Sequence, residues 1–94
     1  MTARPHDPLQ WVPAPAPGVC AAVLDDQAVL YDVGSARPVL LNITASAVWA
    51  ELDGRRTVGQ IADELARRFG ADPTTVAADV LAALTSFERL DLLG

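Results

Sequence analysis

The stretch Val39-Leu40-Leu41-Asn42-Ile43-Thr44-Ala45-Ser46-Ala47-Val48-Trp49-Ala50-Glu51-Leu52 decides the fold, because its hydrophobic period changes in the middle. Before Asn42 there is a short apolar run suited to a strand. After it, Ala45, Val48, Trp49 and Leu52 recur at i, i+3, i+4 and i+7, the spacing of one helical face. Asn42 is a good N-cap and Gly54 can take the left-handed conformation after the last turn, so a first helix is expected over 43–52.

Upstream of that switch the chain reads as strands. Val19 to Leu24 and Ala28 to Val33 are rich in Val and Leu, and Asp25-Asp26-Gln27 between them has turn chemistry, which predicts a hairpin. Gly34, Ser35 and Pro38 break the chain before Val39-Leu40-Leu41, the third strand. Pro38 has no N–H to give a ladder, so this strand belongs at a sheet edge, where another chain can pair.

Downstream, two more helices are expected. Thr57 with Gln60 fits a capping box, Val58, Ile61, Ala62, Leu65 and Phe69 mark one face, and Gly70 stops the helix. The pairs Asp63/Arg67 and Glu64/Arg68 stand at i,i+4 with the acid first. Asp72-Pro73 opens the third helix, with Asp as cap and Pro at the first helical position. Val76, Val80, Ala83, Leu84, Phe87 and Leu90 mark an arc of about 120°, which Ala77 and Leu81 widen to about 180°. Such width exceeds one core contact: either the helix touches several neighbours, or it offers a surface. The expected fold is α+β, a three-stranded antiparallel sheet followed by three helices, in the manner of a winged helix-turn-helix.

Five of the seven prolines fall before residue 18, so residues 1–17 read as a flexible Pro-rich tail and 18–94 as the domain. Trp11 in the tail is expected to lean on the domain. With 94 residues and 51% hydrophobic composition, one small packed domain is allowed and a multidomain enzyme is not.

Chemistry is scarce. The only imidazole, His6, lies in the tail, and the lone Cys20 sits in an alternating strand as a small hydrophobe. These cannot assemble a zinc site or a triad, and no Gly-rich phosphate loop is present; no enzyme activity, metal or cofactor is expected. A lone cysteine, no signal pattern and no long apolar run place the chain in the cytoplasm, without a membrane partner. A winged helix suggests a DNA-binding regulator first, yet the chain carries −5, and residues 73–90 offer Arg89 against Asp79 and Glu88. An apolar groove between an edge strand and an over-wide helix suits an extended peptide added to the sheet. A small structural subunit is the third alternative, and an exposed edge also allows self-pairing into a homodimer.

Taken together, Val39-Leu40-Leu41-Asn42, Thr44-Ala45-Ser46-Ala47-Val48-Trp49, Leu52-Asp53-Gly54-Arg55-Arg56-Thr57-Val58, Ile61, Glu64-Leu65, Phe69-Gly70, Asp72-Pro73 and Val76 to Leu81 resemble the PqqD-like family over roughly 19–93. Ile43 stands where that family often has Pro or Glu, and Asp91 where it often has Gly. The resemblance implies a stand-alone recognition element for ribosomally made peptides. Such an element is non-catalytic. It holds the leader of a precursor and presents the rest to a modifying enzyme, such as a radical SAM enzyme of pyrroloquinoline quinone synthesis or a leader peptidase and cyclase of lasso-peptide maturation. Carried over by position, Val39, Leu40 and Leu41 pair with the leader, Ala77, Ala78, Leu81, Ala82 and Thr85 form the helical wall, and Arg37 and Asp79 orient its charges. Leu81→Glu and Leu41→Pro are the substitutions expected to abolish capture.

Overall fold

A computed structural model of the chain describes residues 6–32 and 38–94. Strands β1 (Val19–Leu24), β2 (Gln27–Asp32) and β3 (Pro38–Leu40) are followed by helices α1 (Ile43–Ala50), α2 (Val58–Phe69) and α3 (Pro73–Arg89). The sheet is antiparallel in the order β1-β2-β3. Leu24 faces Gln27 across the hairpin, and Asp25 in the turn takes a left-handed φ of 57°, which Asp tolerates better than most residues.

The helices start where their caps dictate. Asn42 accepts from the Ala45 N–H at 2.8 Å and Asp72 from the Thr74 N–H at 2.8 Å. The capping box of α2 closes in both directions, Thr57 N–H to Gln60 Oε1 at 2.8 Å and Gln60 N–H to Thr57 Oγ1 at 3.1 Å. Gly70 ends α2 in the left-handed region, φ 64°. Asp91 also stands left-handed, φ 57°.

Helix α1 ends at Ala50, earlier than expected, and Gly54 (φ 73°) serves a separate turn. There the Asp53 carboxylate accepts the backbone N–H groups of Arg55 and Arg56 at 2.9 and 3.1 Å. Those two bonds, more than the Arg56 charge, hold its carboxyl below the usual carboxylate range. The α2 charges also pair differently from the i,i+4 expectation. Arg67 reaches Glu64 one turn back, while Arg68 reaches Glu51 at 2.8 Å, which Arg56 also engages at 2.7 Å. Glu51 thereby ties the end of α1 to α2.

Leu30, Val48, Val58, Ile61, Val80, Leu84 and Phe87 form the fully buried centre, each worth about 1.5–3 kcal/mol of burial. Trp49 meets Phe87 edge to face, centroids 5.4 Å apart at 88°, locking α1 on α3.

The segment read as a flexible tail is instead a strap from Asp7 onward. Asp7 caps a 3-10 turn over Pro8–Gln10, Trp11 packs on the core, and Pro13 is fully buried. Its backbone is claimed by the domain: Val58 N–H donates to Trp11 O at 2.8 Å, Ala16 N–H to Leu92 O at 2.9 Å and Gly94 N–H to Ala14 O at 2.9 Å. Pro15 thus faces Leu93 as a one-residue antiparallel bridge. Proline density removes donors, but the acceptors and apolar rings remain, and these are what the strap uses.

Candidate functional site

The site is built on β3, which pairs only with β2 among the described residues. Leu30 faces Val39 and Val29 faces Leu40 across this pair, and Leu41 N–H donates to Ala28 O at 2.9 Å. In an antiparallel ladder, residues alternate between bonding the partner and bonding outward. Val39 and the Leu41 N–H are therefore turned to β2, and Leu40 presents its N–H and C=O to the open side. The seat of β3 is fixed by buried Ser46, whose hydroxyl accepts from Ala28 N–H at 2.8 Å and donates to Leu41 O at 3.4 Å. Gln27 Nε2 adds a second donor to Leu41 O at 3.3 Å.

Beside this edge runs a cleft of about 500 Å³ between β3 and α3. Leu41 and Phe87, both buried, form its floor. Small residues Ala45, Ala82 and Ala83 keep it open to a backbone, and Leu40 and Leu90, 67% and 51% exposed, form its lips. Asn42, Thr44, Asp79 and Ser86 supply the polar rim; the Ser86 hydroxyl is occupied by Ala82 O at 3.3 Å. None of residues 6–18 lines the cleft, so the strap leaves it free.

Of the positions singled out from sequence, Val39, Leu40, Leu41, Asp79 and Ala82 come together here. Ala77, Ala78, Leu81 and Thr85 do not line the cleft. Ala77 and Leu81 are half-buried against the core, and Thr85 and Ala78 are exposed, the Thr85 hydroxyl donating to Leu81 O at 2.9 Å. At 100° per residue, Val80, Leu84 and Phe87 make the buried stripe of α3, Ala77 and Leu81 flank it on one side, and Asp79, Ala83, Ser86 and Leu90 on the other. The excess width of the apolar face on the Ala77 side is thus spent on core packing. Sequence reasoning missed Ala83, Ser86 and Leu90 as wall residues; counting from the opposite flank would have found them. Leu41→Pro is corrected too, since it breaks the β2–β3 ladder itself and Leu40 holds the outward donor. Arg37 lies outside the described residues.

Among the described residues, no His, Cys, Asp and Glu side chains gather in a group of three or more able to hold a metal. No helix there is long and apolar enough to cross a membrane. Cys20 is half-buried on β1.

Comparison with known proteins bears on this architecture. The family model described as coenzyme PQQ synthesis protein D (PqqD) matches residues 27–93. No curated protein sequence matches the chain. A solution structure of the PqqD truncation of Methylobacterium extorquens PqqCD, described as a functional and stand-alone recognition element for ribosomally synthesized and post-translationally modified peptides, superposes with a TM-score of 0.77 at 32% identity, covering 92% of both chains. TbiB1 in complex with the TbiA(beta) leader peptide has a TM-score of 0.75 at 24% identity, over 85% of this chain and 93% of that one. A lasso peptide synthetase B1 complexed with its leader peptide has 0.75 at 23%, over 88% and 98%. The last two share the fold, and the fold is the one derived above from caps and register. With more than two thirds of its length matched by the family model, the chain belongs to the PqqD family.

Proposed function

We propose that this protein is a non-catalytic adaptor that binds the leader of a ribosomally synthesised precursor peptide as a fourth strand on β3 and presents the remainder to a modifying enzyme. The observation that carries the reading is the outer edge of β3, unpartnered among the described residues, where Leu40 turns its N–H and C=O outward beside an apolar cleft. A guest main chain takes these bonds, while its side chains lie between Leu40 and Leu90 over the Phe87 floor. Its gain for catalysis is effective concentration: the tethered core peptide meets the enzyme as an intramolecular partner. The family match and the stand-alone recognition element of the similar solution structure support it. The enzyme belongs to the radical SAM or leader peptidase class, and the encounter is cytoplasmic. Arg37 and Asp79 are part of the same proposal, as charges that orient charged leader residues, and so are Ala77, Ala78, Leu81 and Thr85 wherever a long leader wraps α3.

Titrating the chain with the leader encoded beside its gene, and mapping amide exchange, tests this. Slowed exchange at Leu40 and along the Asp79–Leu90 flank is expected. Saturable binding that leaves Leu40 unprotected would place the peptide elsewhere and overturn the reading.

A further inference from the structure

The cleft does not end at Asn42. Thr44 and Asp79 border it and also border a second cavity, of about 280 Å³, enclosed by the first turn of α1, the last turns of α2 and the first half of α3. Its walls are apolar: Ala47, Val48, Leu65, Val76 and Val80. Its lips are Ile43 and Phe69, each 60% exposed. Phe69 is held although exposed, because the Arg68 guanidinium lies 5.6 Å from its ring centroid and is itself anchored on Glu51. A fixed, exposed aromatic beside a hydrophobic hollow is a surface shaped for a side chain.

Continuity says whose side chain it is. A strand paired with Leu40 runs along β3 and leaves it at Asn42, where the trough passes between Thr44 and Asp79 into the second cavity. From Leu90 to Val76, α3 advances about 21 Å, a distance that roughly six or seven extended residues cover. One guest therefore reaches both cavities. At the pass between them stands Asp79, exposed, its carboxylate without a hydrogen bond or ion pair among the described residues, in a chain of net charge −5. A guest that crosses here is favoured by a cation at that point.

We infer that the second cavity is a further subsite for the same leader. It takes a large aliphatic or aromatic side chain, and the leaders recognised carry a Lys or Arg between that anchor and the apolar residue of the β3 cleft. This rests on the leader-binding reading, and the test separates the two. Random peptides displayed on phage are selected against the wild-type chain, then measured singly against Phe69→Ala, Ile43→Ala and Asp79→Lys. These exposed positions cost the fold little. Expected are selected peptides with two apolar anchors flanking a basic residue, a loss of about tenfold or more in affinity on Phe69→Ala, and a switch to Asp or Glu at the middle position when selection is repeated on Asp79→Lys. Peptides that protect Leu40 from exchange yet bind Phe69→Ala as wild type overturn the subsite and leave the β3 reading standing. Loss of a co-purifying enzyme on Phe69→Ala, with peptide affinity unchanged, assigns the cavity to the enzyme and overturns it equally. Selected binders that leave Leu40 unprotected overturn both.

Discussion

The molecule answers the same backbone problem in opposite ways on its two sides. At the strap, residues 14–16 lie against 92–94 as a miniature strand pair, and Ala16 N–H and Gly94 N–H both find carbonyls of the chain itself. At β3, the edge of a larger sheet has no strand on its outer side among the described residues, and a cleft lies beside it. Edge strands are usually covered or charged because an open one pairs with whatever arrives. The protein spends its spare segment on the C-terminal side and not on β3, which is the arrangement expected where the visitor is the function. The outer edge of β1 sharpens the contrast. It too is a sheet edge, but Val23 and Leu24 there stand 69% and 67% exposed, and no residue of β1 lines either cavity. An edge becomes a site only with a wall alongside.

The strongest way to break the contrast is to remove what both sides share. Phe87 is 1% exposed, floors the cleft and meets Trp49 edge to face, so Phe87→Ala should cost about 3–5 kcal/mol in denaturant unfolding. For a domain this small that is a large part of its stability. Leader affinity should collapse with it; a variant that unfolds normally would mean the α1–α3 contact is not the core it looks to be.

Ser46→Ala acts on one side only. It leaves the buried Ala28 N–H without its 2.8 Å acceptor, a penalty of about 1–3 kcal/mol, and unseats β3 from β2 at Leu41. Exchange at Leu41 should quicken while amides at Ala16 and Gly94 stay protected. Equal loosening on both sides would show that the two behave as one cooperative unit.

Leu40→Pro separates binding from folding. The change removes the one outward donor without touching the Leu41 to Ala28 bond, so unfolding should move little and leader affinity should fall about tenfold, near 1.4 kcal/mol. Ala21→Pro, on the free edge of β1, is the matched control and should leave affinity unchanged. Should Leu40→Pro bind normally, strand addition is not the mode of capture.

Comparing what could be read in advance with what folds shows where sequence information is local. Thr57 and Gln60, Asp72 and Pro73, and Asn42 each announce a helix start because the bond that makes the cap spans two or three residues. The hairpin likewise follows from its acidic turn, but Gln27, expected in the turn, opens β2 and faces Leu24, so the register was not legible in advance. The strap was illegible because its bonds join residues 14–16 to 92–94 through backbone atoms, which carry no residue signature. The lining of the cleft failed by one flank of α3: apolar width marks both core and surface, and only the seat of α3 against β3 says which is which. Which of Leu40 and Leu41 faces outward is a one-residue question settled by Ser46, a polar side chain inside a helical pattern whose partner stands eighteen positions away.

The smallest effect is expected on the strap side, at the turn beneath it. The Cβ of an alanine at Gly54 would stand 3.4 Å from Ala14 Cβ, so the Asp53–Arg56 turn is pressed against the strap. Asp53 holds that turn with its carboxylate. Because its folded pKa lies below the ordinary value of 3.8, the ionised form is favoured by folding. Its contribution is complete above that ordinary value and fades as pH falls through the depressed one. Wild type should therefore lead Asp53→Asn in denaturant midpoint at pH 7 and lose the lead progressively as the pH is taken below 3.8, a narrow margin since the group is solvent-exposed and screened. Leader affinity at neutral pH should be the same for both, since the turn lies outside the cleft. A drop in affinity would mean that the strap and the open edge communicate, and that the division between self-covered and guest-covered sides is not a division at all.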